Sequence, residues 1–414
     1  MIKSPLAQKF VVIYAIVSAA ALYRATLFPE SLRDLFQLSG IGLLFFYVIV
    51  DLLFPTTKIK QNFKKEIYLF FIATFLSMYV AKMHHFQDFS ITFIAQRFMY
   101  FYMFYFVLHS FDLSPKDIER IIIPFGLLYV GLYLLQFFLF PMQLFDARVE
   151  LARGTVRVFI PGAAFMFLSY FKSLQEFLSN RNYKYLALCI LFFIVGGILT
   201  GTRQSLATLT LITTAFIFFH KQVKSRLFII VMYAIAGFSA IIIFHEVFIQ
   251  LVELTIQQSQ DSRPNVRILA SRFFLTDFMP ADIAYILGNG MDSTNSTFGQ
   301  RVFYFMEVYG FYQSDVGIIG DYSKFGILFV IAQLSILIKI IFGKLPTSIS
   351  YIRYYFLTIA LTMFSGANAF GRVDGIVFVC LVLYLIDREK SKPESTPDGA
   401  NSSNAGKEIA HRFG

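Results

Sequence analysis

Apolar runs of membrane-spanning length alternate with short polar connections along most of this chain. A crossing helix needs about 20 mostly apolar residues. Twelve stretches are candidates: 9–27, 35–54, 66–82, 91–110, 119–140, 158–172, 184–201, 203–220, 226–246, 314–341, 350–366 and 373–387. The sixth and twelfth are short. The tenth is long and contains glycines, which predicts a broken or re-entrant start. The alternation stops for long only once, over 247–313, between the ninth and tenth candidates. Beyond 387 the chain turns to Lys, Ser, Pro, Asn and Gly, a composition that cannot bury a core, so 388–414 is expected to be a disordered tail. The expected architecture is all-α: a polytopic membrane domain over 1–387, about 12 transmembrane helices, and one long loop on one side. No internal repeat is visible.

Composition agrees with a membrane class. Hydrophobic residues make up 57% of the chain and charged residues 15%, against about a quarter charged in a soluble domain. With 52 Phe and no Trp, Tyr and Phe must supply the interfacial aromatics. The net charge of +10 is read as orientation and attraction to anionic headgroups, not as nucleic-acid binding. Cys189 and Cys380 both fall in apolar runs and read as small buried hydrophobes. No small-residue cleavage site clearly follows the first apolar run, which predicts a retained first helix.

Lysines mark alternate short loops: Lys58, Lys60, Lys64 and Lys65; Lys116 with Arg120; Lys172, Arg181 and Lys184; Lys221 and Lys224 with Arg226; Lys339 and Lys344. With Lys3, Lys9 and the tail they define the cytoplasmic side. An even span count puts both termini there and the 247–313 loop outside. The outer cations are then nearly all arginine: Arg24, Arg33, Arg148, Arg153, Arg157, Arg203, Arg263, Arg267, Arg272, Arg301 and Arg372, against Lys82. Arginine grips phosphate or carboxylate with a planar fork, which points to an anionic substrate at the outer face. The plainer reading pairs these arginines with loop acids such as Asp146, Glu150 and Asp261, or with lipid phosphates.

Thr200-Gly201-Thr202-Arg203-Gln204 sits at the outer junction of the seventh and eighth spans, with almost no loop. An arginine at that depth needs an anion, from substrate or protein, or else snorkels from a helix cap. Over 264–278 the spacing of Val266, Leu269 and Phe273 predicts a helix, capped by Ser262 or Asp261 with Pro264 in its first turn. It carries Arg267 beside an apolar stripe, with Arg263 one turn earlier, either as an interfacial helix facing phosphates or as an ordinary packed helix. Gly288 and Gly290 allow a tight turn or a close backbone approach. Asp315 opens the tenth span as a general base for a hydroxyl or as a helix N-cap. Asp321 and Lys324 are expected to pair. No metal-ligand cluster, phosphate-binding Walker loop or nucleophile elbow is found.

Together these pieces resemble the bacterial family of O-antigen polymerases and O-antigen ligases. Members often show a T-G-S-R-G-like turn, matched by Thr200-Gly201-Thr202-Arg203-Gln204 with Thr for Ser and Gln for the last Gly. An arginine followed by L-G-x-G is matched by Arg267 and Leu287-Gly288-Asn289-Gly290. A polar residue ahead of a glycine-rich span is matched by Asp315 and Phe325-Gly326-Ile327-Leu328. Ligases resemble one another in a His-Asn pair near that point; Ser314-Asp315 stands there here, closer to polymerases. The resemblance implies transfer of a glycan from undecaprenyl diphosphate to a second lipid-linked repeat, at the outer face of a bacterial cytoplasmic membrane. It implies Arg203 and Arg267 on the diphosphate, and Asp315 as base or acceptor-orienting group. Arg263, Arg272, Arg301, Gly288 and Gly290 follow as further substrate contacts. No metal or other cofactor is implied, because the lipid diphosphate is already activated. Flippase and chain-length regulator proteins are the protein partners it brings to mind. The ligase is the nearest alternative, and a lipid-linked glycan transporter is the alternative from a different class.

Overall fold

The computed structural model describes residues 4–55, 59–219, 226–260, 265–364, 366 and 369–391. The tail from 392, with Lys3, Lys58, Lys221 and Lys224, lies outside the described residues.

The chain is predominantly helical. It opens with α1 (Pro5–Ala19), α2 (Glu30–Leu53) and α3 (Lys64–His85), then a bent pair, α4 (Phe89–Ala95) and α5 (Met103–Ser110). After α6 (Pro115–Leu139) comes a small hairpin, β1 (Val149–Ala152) and β2 (Thr155–Val158). Then follow α7 (Ala163–Asn180), α8 (Tyr183–Phe193), a π-helical turn Ile194–Leu199, α9 (Arg203–Phe219) and α10 (Arg226–Ile243). The 247–313 region is itself helical, with α11 (His245–Gln260), α12 (Val266–Leu275), α13 (Asp282–Leu287) and α14 (Thr297–Tyr309). The chain ends in α15 (Ile318–Ile341), α16 (Tyr351–Thr362) and α17 (Val373–Lys390), so helix runs past the expected boundary at 387.

Among the described residues, five helical segments are long and apolar enough to cross a membrane: Pro5–Arg24, Glu30–Leu53, Lys64–His85, Pro115–Leu139 and Ile318–Ile341. Two bent pairs, Phe89–Ala95 with Arg97–Ser110 at 58° and Ile229–Ile243 with His245–Glu253 at 83°, raise the number to seven. The remaining apolar stretches fall largely on helices that are short or carry charge. α16 has 12 residues. α7 carries Lys172 and Glu176, and α17 ends in Asp387-Arg388-Glu389-Lys390. The sixth stretch starts later than expected, because Val158 pairs with Val149 in the hairpin. Leu35, Phe45, Phe46 and Ile49 on α2 and Ile72, Phe75 and Leu76 on α3 are exposed, as a lipid-facing surface requires and a water-facing one avoids.

α17 is the central post. Every residue from Ile376 to Ile386 is buried, the signature of a helix apolar all round. It packs against α1, α5, α6 and α7. At its end the buried Asp387 carboxylate accepts from the Tyr105 hydroxyl at 2.6 Å, Asn62 Nδ2 at 2.8 Å and His109 Nε2 at 3.1 Å. The same end of the bundle gathers Lys339 on Glu66, Lys9 on Asp117 (2.7 Å) and Lys172 on Glu119 (3.1 Å).

α15 is broken, as its glycines predicted. Gly326 has φ 76° and ψ −171°. Gln333 Nε2 donates to Asp321 Oδ2 at 2.7 Å; in an unbroken helix these residues would stand about 18 Å apart. Asp321 therefore takes Gln333 as a partner, while the charge of Lys324 bears on Asp292. The carbonyls freed by the break are met by the Gly288–Gly290 strip: Asn289 N donates to Ser323 O at 2.9 Å and Gly290 N to Lys324 O at 2.8 Å. A Cβ on Gly288, at φ +75°, would lie 2.4 Å from Lys324 O, backbone that cannot step aside.

Gly288→Ala should therefore lower the thermal stability and membrane abundance of the full-length protein. The strained φ alone costs about 1–3 kcal/mol, and the contact adds to it. Gly131→Ala, where nothing lies within 4 Å of the added Cβ, should leave both unchanged. Equal melting of the two variants would remove the glycine strip from the support of the break.

Candidate functional site

The site grows out of the turn between the π-helical end of α8 and the start of α9. A helix C-terminus leaves carbonyls without partners, and here Leu199, Thr200 and Gly201 present theirs to the hairpin. The Tyr133 hydroxyl donates to Leu199 O at 2.8 Å and Thr155 Oγ1 to the same oxygen at 3.0 Å. Arg157 Nε donates to Thr200 O at 3.1 Å, and Arg153 Nη1 to Gly201 O at 3.0 Å. Gly201 has φ 59°, and a Cβ there would come 2.8 Å from Thr155 Cγ2, so glycine is what lets the hairpin sit down on the turn.

Arg203 follows at the first position of α9, where backbone N–H groups and the helix dipole already favour an anion. Its Nη1 donates to Thr255 Oγ1 on α11 at 2.7 Å. Arg267, from the other end of the polar region, stands at the start of α12. Its backbone N–H is capped by Asn265 Oδ1 at 2.9 Å. The cap is thus Asn265, not the expected Ser262 or Asp261, and the helix is Val266–Leu275, shorter than the expected 264–278. Asp261, Ser262, Arg263 and Pro264 lie outside the described residues.

The charges of these two arginines reach a third, Arg153 at the hairpin tip. Burial depresses the Arg153 guanidinium from its usual value, and the charges of Arg157, Arg203 and Arg267 depress it further. The carboxylate acting against them is Glu150. Both its oxygens are engaged, Oε1 by Arg157 at 2.6 Å and Oε2 by Arg148 at 2.7 Å. Elsewhere the plainer reading of the outer arginines holds. Arg24 and Arg33 share Asp146, whose carboxyl they hold below the usual range, and Arg97 binds Asp34 at 2.6 Å.

The turn that carries Asp315 is linked to the start of α9 by way of the end of α16. Asp315 lies in a single 3-10 turn, Gln313–Val316, and α15 is capped by Gly317, so the N-cap alternative does not hold. Ile318 N donates to Met363 O at 2.7 Å, and Gln204 Nε2 donates to Thr362 O at 3.4 Å. The end of α16 thus bridges the start of α15 and the start of α9. The Asp315 side chain is exposed, with no partner among the described residues.

The remaining expected residues go elsewhere. Arg272 is exposed at the far end of α12. Arg301 lies over the Phe305 ring, 5.7 Å from its centroid, and its charge reaches His85. Gly288 and Gly290 serve the break in α15. Sequence reasoning did not single out Arg153 from the other outer arginines, nor Asp292. Burial pushes the Asp292 carboxyl up, with Lys324 opposing. The signal for Arg153 was the Arg153-Gly154 pair between two short alternating runs, a hairpin turn with an unusual first residue. No metal-ligating cluster is present among the described residues. No protein-family model matches this chain, and no curated protein matches it.

Proposed function

We propose that this protein polymerises lipid-diphosphate-linked oligosaccharide repeats into a surface polysaccharide. It works at the outer face of a bacterial cytoplasmic membrane. What supports the reading is that Arg153, bonded to the Gly201 carbonyl two residues before Arg203 at the start of α9, also feels the charges of Arg203 and Arg267 from distant segments. A helix N-terminus flanked by guanidinium groups suits phosphate oxygens, and a diphosphate leaving group carries them.

In this reading the chain crosses the membrane twelve times, by α1, α2, α3, α4 with α5, α6, α7, α8, α9, α10, α15, α16 and α17. The lysine end of the bundle is cytoplasmic, and the hairpin and α11–α14 lie outside. The hydroxyl of an acceptor sugar attacks the anomeric carbon of the donor. As that bond forms, the bond from the anomeric carbon to the diphosphate oxygen breaks. The charge growing on the diphosphate is met by Arg203 and Arg267, and the hydroxyl proton passes to Asp315. Ser314-Asp315 in place of His-Asn favours polymerase over ligase. The transporter alternative draws on the broken α15 and the buried Asp321, since broken helices with buried charge also mark transport sites.

Arg203→Ala should cut polymer formation by about a hundredfold or more at normal membrane abundance. Arg203→Lys should recover only a fraction, because a point charge cannot reproduce the fork. Wild-type polymer from both variants would make Arg203 structural.

Asp315→Asn should retain the fold, since its carboxylate has no described partner, and lose about a hundredfold or more in transfer rate. An unchanged rate at saturating acceptor would remove Asp315 from the chemistry.

Deleting the gene separates the readings by the intermediate left behind. A missing polymerase leaves single repeats at the outer face and no long chains, which is the expected outcome. Long polymer still on its lipid diphosphate would assign ligase. Single repeats trapped on the cytoplasmic face would assign transporter.

A further inference from the structure

The β1–β2 hairpin turns through two residues, Arg153 and Gly154, between the paired Ala152 and Thr155. Both have positive φ, 59° and 72°. That is the backbone of a type I′ turn, which favours Asn-Gly and disfavours a long side chain at the first position. Only glycine, and to a lesser degree Asn and Asp, adopts this region readily. A strained residue at a position that a better turn former could fill points to a use for its side chain.

The side chain has somewhere to be. Arg153 Nη1 donates to Gly201 O, two residues before Arg203. This is its one hydrogen bond among the described residues, and a guanidinium has five N–H donors in a fixed fork. The tip is also anchored from behind: a Cβ on Gly154 would lie 3.2 Å from Val247 Cα on α11, the helix that holds Arg203 through Thr255. Strand pairing, the Gly201 carbonyl and α11 therefore fix the guanidinium with most of its donors uncommitted.

We infer that Arg153 is a third phosphate-binding arginine, held at a strained hairpin tip so that its fork faces the same diphosphate as Arg203 and Arg267. This rests on the function proposed above and adds a residue that the family resemblance did not supply. A diphosphate offers oxygens on two phosphorus atoms, enough to occupy more than one fork at once.

The test uses the full-length protein in phosphatidylcholine nanodiscs, with inorganic pyrophosphate as the probe. Binding is measured by titration and the melting temperature is measured in parallel. Arg153→Asn places the preferred residue in the turn, which offsets the lost bond to Gly201 O, so it should melt close to wild type while binding pyrophosphate roughly tenfold more weakly or worse. Arg153→Lys should fall between the two in binding. Wild-type affinity in Arg153→Asn would overturn the inference and leave the Arg203–Arg267 reading standing. No pyrophosphate binding by wild type would overturn both. Stabilisation of wild type only when phosphatidylglycerol is added to the discs, lost in Arg153→Asn, would reassign the fork to a lipid headgroup and overturn the diphosphate assignment.

Discussion

Inside a bilayer a carbonyl that loses its helical partner has no water to turn to. This chain interrupts its helices repeatedly, and the molecule depends on what closes each gap. The carbonyls of Leu199, Thr200 and Gly201 are closed by Tyr133, Thr155, Arg157 and Arg153. Those at the break in α15 are closed by Asn289 and Gly290. Met363 O is closed by Ile318 N. Each patch comes from a segment far away in sequence, so each break also acts as a tie. The ties around α9 draw together the hairpin, α11, the end of α16 and the start of α15.

Lysine predominates among the ion pairs at the Asp387 end and arginine at the hairpin end. At the Asp387 end, Lys9, Lys172 and Lys339 pair with Asp117, Glu119 and Glu66, beside Arg388 on Asp112. At the hairpin end, arginines bond backbone carbonyls, a hydroxyl and shared carboxylates, and Arg157 does two of these at once through separate nitrogens. Only a fork with several donors can brace a turn and still offer N–H groups to a visitor.

The helices, the broken tenth span and the amphipathic run of Val266, Leu269 and Phe273 were legible in the sequence because they are periodic and local. Arg203 drew notice because an arginine at the end of an apolar run is conspicuous, and the structure places it at the start of α9. What could not be read was pairing across distance. The hairpin spans two four-residue strands, too short for alternation to stand out. Gly288 and Gly290 were assigned to substrate because a close backbone approach does not say what approaches; here it is the backbone of α15. Asn265 is the cap because it stands directly before the first helical residue, where its side chain accepts from the Arg267 N–H at 2.9 Å. Arg301 looked equivalent to Arg267 along the chain, but α14 carries it to Phe305 and His85.

The buried post α17 has a consequence for how the protein is made. It follows in sequence every helix it touches, so α1, α5, α6 and α7 are synthesised and inserted before their common centre exists. Until α17 leaves the ribosome, Tyr105 and His109 have no Asp387 to receive them, and the inward faces of four helices meet lipid or one another. The bundle's cohesion arrives only after the four helices it gathers, with a helix whose apolar run ends in a carboxylate that the finished neighbours hold.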